Sequence, residues 1–265
     1  MITTADILKK LQEFAPLELK AEWDNAGLLC GSFCAEVTRV MVALDPSMAA
    51  LREAAQKHCE LLLTHHPILF GKIASLTDET VTGRALRFAA ENKINCINLH
   101  TNLDVVSGGV NDCLATALGL EGVSLLKPEG VDANGREYGL IRCGTVPQQS
   151  LADFLATVSC RLDCLGLRYI DGGKSVHRVA VGGGACADEL NNAASAGCDT
   201  FVTADVRYHE FCAAAEMGIN LIDAGHFETE NPICEKLADF VRQSFTELQV
   251  MRSESHRDVI LFRMK

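Results

Sequence analysis

The feature that most constrains this chain is a series of short, continuously apolar segments alternating with amphipathic ones. RVMVAL (39–44), CELLLT (59–64) and INCINL (94–99) read as strands buried on both faces. The segments 46–57, 83–93 and 109–120 carry apolar residues at helical spacing, the last closed by Gly119. Strands that are apolar along their whole length need helices on both faces, so the pattern predicts an α/β fold with a mostly parallel sheet. Ile7, Leu8, Leu11 and Phe14 predict a further helix that ends before Pro16.

The turn-rich segment KPEGVDANG (127–135) is the candidate linker. Beyond it, the pattern predicts a strand at 138–143, a helix at 148–162 and a short strand near 167–170. The first motif series then recurs. HRVAVGGG resembles TRVMVALD, AGCDTFVTAD resembles KHCELLLTHH, and GINLIDAGHFETE resembles KINCINLHTNLD. The pairs Arg39/Arg178, Cys59/Cys198 and Thr64/Thr203 share one offset, while His100/His226 and Asp104/Glu230 share a second, shorter one. The expectation is an internal duplication giving two similar α/β lobes, 1–125 and 126–265, with mixed, mostly parallel sheets flanked by helices. The C-terminal strand is expected to pack back on the first lobe.

Composition excludes several classes. With 24 Lys+Arg against 35 Asp+Glu, the net charge of −11 argues against a broad nucleic-acid surface. No apolar run approaches the roughly 20 residues of a membrane span. The start carries Asp6, Lys9 and Lys10 and lacks the apolar core of a signal peptide. Twelve cysteines invite a disulfide reading, but a chain of 265 residues can bury a core without them, and no CxxC pair occurs. Reduced, mostly buried thiols in a cytoplasmic protein are expected.

In α/β sheets, ligands bind beyond the carboxyl ends of strands. After CELLLT come His65 and His66; after INCINL come His100 and Asp104. After TFVT comes Asp205, with His209 close behind, and after INLIDA come His226, Glu228 and Glu230. Adjacent histidines in an extended strand point to opposite sides, so His65 and His66 either split between core and solvent or serve metal centres across a bend before Pro67. HTNLD and HFETE each set an imidazole and a carboxylate one helical turn apart, which suits zinc, manganese, iron, cobalt or nickel. Asp24 and Asn25 read equally as a self-bonded turn or as a wall of the same site. VGGGACADEL (181–190) is either tight turn chemistry or a phosphate cradle. His58, His177 and His256 lack acidic or repeat context and read as structural or surface residues.

Taken together, EWDNAGLLCG, LLLTHHPILF, NLHTNLDVVSGGVNDCLA and DAGHFETENP closely resemble the Nif-three-like family, from about Ile7 to Lys265. Its bacterial members are also described as dinuclear-metal-centre hexameric proteins or GTP cyclohydrolase 1 type 2 homologues. The resemblance implies two similar α/β lobes, a toroidal homohexamer and two divalent metal ions per subunit. It implies His65, His66, Asp104, His226 and Glu230 as ligands, with the site between the lobes. His100 would stand beside them as a positioning group or proton carrier, and Glu228 would be a second proton carrier. The region 135–174 lacks the large insertion of longer members, and Phe227 stands where some relatives have a polar residue.

The resemblance implies two alternative functions. One is a metal-dependent hydrolase resembling GTP cyclohydrolase type 2, in which water opens the imidazole ring of a purine nucleotide, or in which a related phosphate is hydrolysed. The other is a non-catalytic metal-binding or metal-delivery scaffold, whose metal would be closed off by protein ligands.

Overall fold

The computed structural model describes residues 1–263. The chain runs through α1 (Thr4–Phe14), β1 (Gly27–Cys30), β2 (Arg39–Ala43), α2 (Met48–Gln56), β3 (Leu61–Thr64), α3 (Val81–Glu91), β4 (Asn95–Asn98) and α4 (Thr101–Val105). It continues through α5 (Val110–Leu118), β5 (Glu121–Leu125), β6 (Gly130–Val131), β7 (Glu137–Tyr138), β8 (Arg142–Gln149), α6 (Leu151–Leu162), β9 (Arg168–Ile170) and β10 (Val176–Val181). The last elements are α7 (Leu190–Ser195), β11 (Thr200–Thr203), α8 (Tyr208–Met217), β12 (Asn220–Asp223), α9 (His226–Glu230), α10 (Pro232–Ser244) and β13 (Gln249–Arg252). Two compact units emerge: Met1–Leu103 with Ile233–Arg257, and Asp104–Pro232 with residues 258–263.

The first unit holds a five-stranded sheet in the order β1-β4-β3-β2-β13. It is parallel from β4 to β13, and only β1 runs antiparallel. Met41, Leu62 and Cys96 pack with Leu51 of α2 and Leu86 of α3. Val40, Val42, Leu61 and Leu63 point to the other face and are buried as well. Burial on both faces is what continuously apolar strands require, at about 1.5–3 kcal/mol for each large aliphatic side chain. Capping sets the helix starts. Thr3 accepts from the Asp6 N–H and donates its own N–H to the Asp6 carboxylate, while Ser47 and Thr80 cap α2 and α3.

The second unit holds a six-stranded sheet, β5-β8-β10-β11-β12-β9. Here β10, β11 and β12 are parallel, and β5, β8 and β9 add antiparallel pairings around them. This sheet is therefore less parallel than the sequence predicts, because its outer strands β5 and β9 are short, partly exposed segments without a buried apolar run. Val179, Val181, Val202 and Ile222 pack under α5 and α6, while Ala180, Phe201 and Leu221 pack with Leu190 and Ala214 on the opposite face.

Two expected boundaries move. The strand predicted at 138–143 lies at 142–149 instead, and its ladder with β10 breaks between Arg178↔Thr145 and Val176↔Gln149. That break spans Pro147, which has no N–H to give. The helix after it starts at Leu151, capped by Ser150, rather than at Gln148. The division expected near 125 also differs from the compact units, which divide within α4. Leu114, Ala115 and Leu118 of α5 pack with Phe154 and Val158 of α6, so α5 belongs to the second unit. β13 pairs with β2 in the first unit.

Candidate metal centre

In the first unit the site begins where β3 ends. The Thr64 hydroxyl donates to the His66 carbonyl at 2.7 Å, and the His66 N–H donates to the Leu44 carbonyl at 2.9 Å. This bend before Pro67 overrides the strand alternation that would send adjacent histidines apart. The rings of His65 and His66 lie 5.0 Å apart, and His100, just past β4, lies 5.1 and 5.5 Å from them. One ligand nitrogen from each of the three falls within 4.8 Å of the others. His100 thus joins the histidine group itself.

Each ring is held by Nδ1. His65, fully buried, places Nδ1 2.9 Å from the Leu99 carbonyl. His66 Nδ1 lies 2.7 Å from Asp45 Oδ1, and His100 Nδ1 lies 2.8 Å from Asp24 Oδ1. A carbonyl or an ionised carboxylate only accepts, so each Nδ1 carries a proton and Nε2 is the nitrogen a metal ion would take. That is the outer arrangement that orients metal-binding histidines. Asp24 is 2% exposed and also accepts from the Thr101 N–H and hydroxyl. Burial pushes its carboxyl up, but the bonds from His100 and Thr101 outweigh it and hold the group at about 2. Asp45 likewise stays well below the usual carboxylate range against burial, because His256 as well as His66 bonds to it.

In the second unit, β12 leads through Gly225 into α9, whose first residue is His226 and whose last is Glu230. One helical turn sets His226 Nε2 3.1 Å from Glu230 Oε2, while His226 Nδ1 lies 2.7 Å from Asp205 Oδ2. With the Nδ1 proton given to Asp205, Nε2 faces a carboxylate oxygen as lone pair against lone pair. Such a contact holds together only by sharing a proton or a cation. Gly184 (φ +64°) lies against this pair: a Cβ there would meet Glu230 Oε1 at 2.2 Å. The Gly183 and Gly184 amides donate to Asn111 and Thr229, so the glycine segment serves turn packing rather than a phosphate cradle. The Asp104 and Glu230 carboxylates both act on Cys186, whose thiol burial first, and then these charges, push well above its ordinary value. Glu228 lies buried under Gly225, and burial, with Asp258 and Asp163 nearby, pushes its carboxyl up.

Three site residues escaped the sequence reading. Asp45 lies just past β2, and a search beyond every strand end, that of β2 included, would have found it. His256, expected to be structural or on the surface, bonds to Asp45 and so supports the histidine group. Asp205 gained no role from sequence and proves to hold His226. Asn25 braces a loop by donating to the Leu69 and Gly71 carbonyls. His209 stays exposed on α8, outside these groups.

Imidazole nitrogens backed by carboxylates and joined by an acidic oxygen fit a divalent transition-metal ion. Parallel strands ending in such histidines define the class: a mixed α/β protein with a candidate metal-binding site. The chain belongs to the Duf34/NIF3 (NGG1p interacting factor 3) family, whose model matches residues 2–258. It is 34% identical over 264 residues to the GTP cyclohydrolase 1 type 2 homolog of Clostridium acetobutylicum, covering 97% of this chain and 98% of that one. The protein of the same name from Clostridium perfringens is 31% identical over 260 residues, covering 97% and 98%. The crystal structure of Staphylococcus aureus protein SA1388 superposes with a TM-score of 0.91 at 27% identity, covering 99% of both chains. No helix among the described residues is long and apolar enough to cross a membrane.

Proposed function

We propose that this chain is a metal-dependent hydrolase, acting on a purine nucleotide as the name of its clostridial relatives suggests. Two divalent ions per subunit would be held by His65, His66, Asp104, His226 and Glu230, with His100 beside them. The observation that carries the reading is the set of Nδ1 contacts to Leu99, Asp45, Asp24 and Asp205, the outer bonds that orient metal-binding histidines. The chemistry such ions supply is Lewis-acid activation of water and of the electrophile.

The chain's own groups orient and move protons. Asp45 and Asp24 fix the planes of His66 and His100. His100, backed by the buried Asp24, is suited to take up a proton at Nε2 and pass it on. Glu228 retains its carboxyl proton to higher pH than an exposed glutamate, which suits an acid. Assembly into a homohexamer in the cytoplasm belongs to the same reading.

The test is elemental analysis combined with turnover of GTP and other nucleotides by metal-loaded protein. His65→Ala and His226→Ala should lower bound metal and abolish hydrolysis. Unchanged metal stoichiometry in either variant removes that residue from the ligand set. Full metal content without turnover of any nucleotide favours the non-catalytic scaffold.

A further inference from the structure

Two large rings stand uncovered beside the histidine group. Trp23, the only tryptophan of the chain, is 66% exposed, and Phe70 is 59% exposed. Each meets His100 edge-on at 79°, with ring centroids 5.9 and 5.8 Å from the imidazole. Leaving two such rings in water forgoes the stabilisation their burial would bring, and apolar surface next to a polar site marks a place for a ligand.

The loops that carry them are tied in place. The Asn25 amide donates to the carbonyls of Leu69 and Gly71, on either side of Phe70. The Asn98 amide donates to the Asn25 carbonyl, and the Lys20 ammonium to the Asp24 carbonyl. The Asp24 carboxylate then holds His100 and Thr101. One short segment, Trp23-Asp24-Asn25, therefore places an aromatic ring, orients a site histidine and braces the second ring's loop.

We propose that Trp23 and Phe70 form an aromatic mouth that seats a planar heteroaromatic ring against His100. Flat π-faces accept any such ring by stacking, whereas a sugar phosphate without a base gains nothing from them. The purpose of the mouth rests on the hydrolase reading, but its binding can be measured without turnover.

Trp23 reports on the mouth directly. Tryptophan fluorescence of the assembled, metal-loaded protein is titrated with GMP, AMP and ribose 5-phosphate. Both nucleotides should quench it saturably, and ribose 5-phosphate should not. By calorimetry, Phe70→Ala and Trp23→Ala should each weaken GMP binding roughly ten- to a hundredfold at unchanged metal content, whereas Phe70→Tyr and Trp23→Phe should retain it. Equal effects of ribose 5-phosphate and GMP would overturn the proposal, as would wild-type affinity in Phe70→Ala. Protection of Trp23 from acrylamide in the ligand-free protein would also overturn it, because another copy would then cover the rings. Ring-dependent binding without turnover would sink the hydrolase reading and leave the mouth standing.

Discussion

Asp45 Oδ1 lies 2.7 Å from Nδ1 of His66, and this contact fixes which nitrogen of His66 bears the proton. The other Asp45 oxygen lies 3.1 Å from His256 Nε2, so one carboxylate ties a site histidine to a residue far along the chain. Asp45→Asn removes the charge but keeps the shape. Metal affinity should fall about ten- to a hundredfold with little change in melting temperature. Competition with a chromogenic chelator measures it, and wild-type affinity would show that Asp45 does not tune His66.

Gly184 invites a comparison with Gly173. Both have positive φ, +64° and +76°, but only at Gly184 would a Cβ strike the Glu230 carboxylate. Either substitution to Ala should cost about 1–3 kcal/mol in backbone strain. Only Gly184→Ala should also lose bound metal. Chemical denaturation paired with elemental analysis separates the two effects, and equal metal content in both variants would contradict the close approach.

Glu53 is a buried carboxylate that accepts from the Ser253 and Ser255 hydroxyls and from the Glu254 and Ser255 N–H groups. Burial alone would raise its pKa, but these bonds, with Lys57, hold it well below the ordinary 4.5. A depressed folded value contributes stability that is complete above the ordinary value and fades as pH falls below it. Glu53→Gln should therefore cost ~2 kcal/mol near neutral pH, with the gap to wild type shrinking below the ordinary value of 4.5. Urea unfolding across pH checks the sign: a gap that widens in acid would refute it.

Cys30 and Cys96 face each other across β1 and β4. The hydrogen bond with Cys96 brings the half-buried Cys30 thiol down to about 7, while the same bond and burial push Cys96 up. Near neutral pH, iodoacetamide should modify Cys30 and spare Cys96. Cys96→Ala should slow labelling of Cys30 a few-fold, because the thiolate fraction falls. Peptide mass spectrometry resolves Cys30 from the exposed Cys34, Cys160 and Cys212.

Much of the first unit was legible because its strands are uniformly apolar, and β2, β3 and β4 fall within the predicted segments. The second unit was less so. The short strand expected near 167–170 is β9, but β5 is an exposed edge strand without a buried run, and Pro147 lies inside β8, where a proline normally argues against a strand. At the site, His65, His66, His100 and His226 were visible as residues placed just after strands. Their partners were not. His256 meets Asp45 and Asp24 meets His100 across long stretches of chain, and no local spacing encodes such pairs. The bend at Thr64 that gathers the two adjacent histidines depends on hydrogen bonds to Leu44 and to the His66 carbonyl, which residue order alone does not specify.

The parallel pairing of β13 with β2 bears on how the chain is made. Every strand of the second unit's six-stranded sheet lies between Glu121 and Asp223, so that sheet can close while the ribosome is still working. The first unit's sheet has to wait for Gln249–Arg252, and Glu53 has to wait for Ser253 and Ser255. The sheet begun first is therefore the sheet completed last, and a nascent or truncated chain shows the bare edge of β2, a ready template for mispairing.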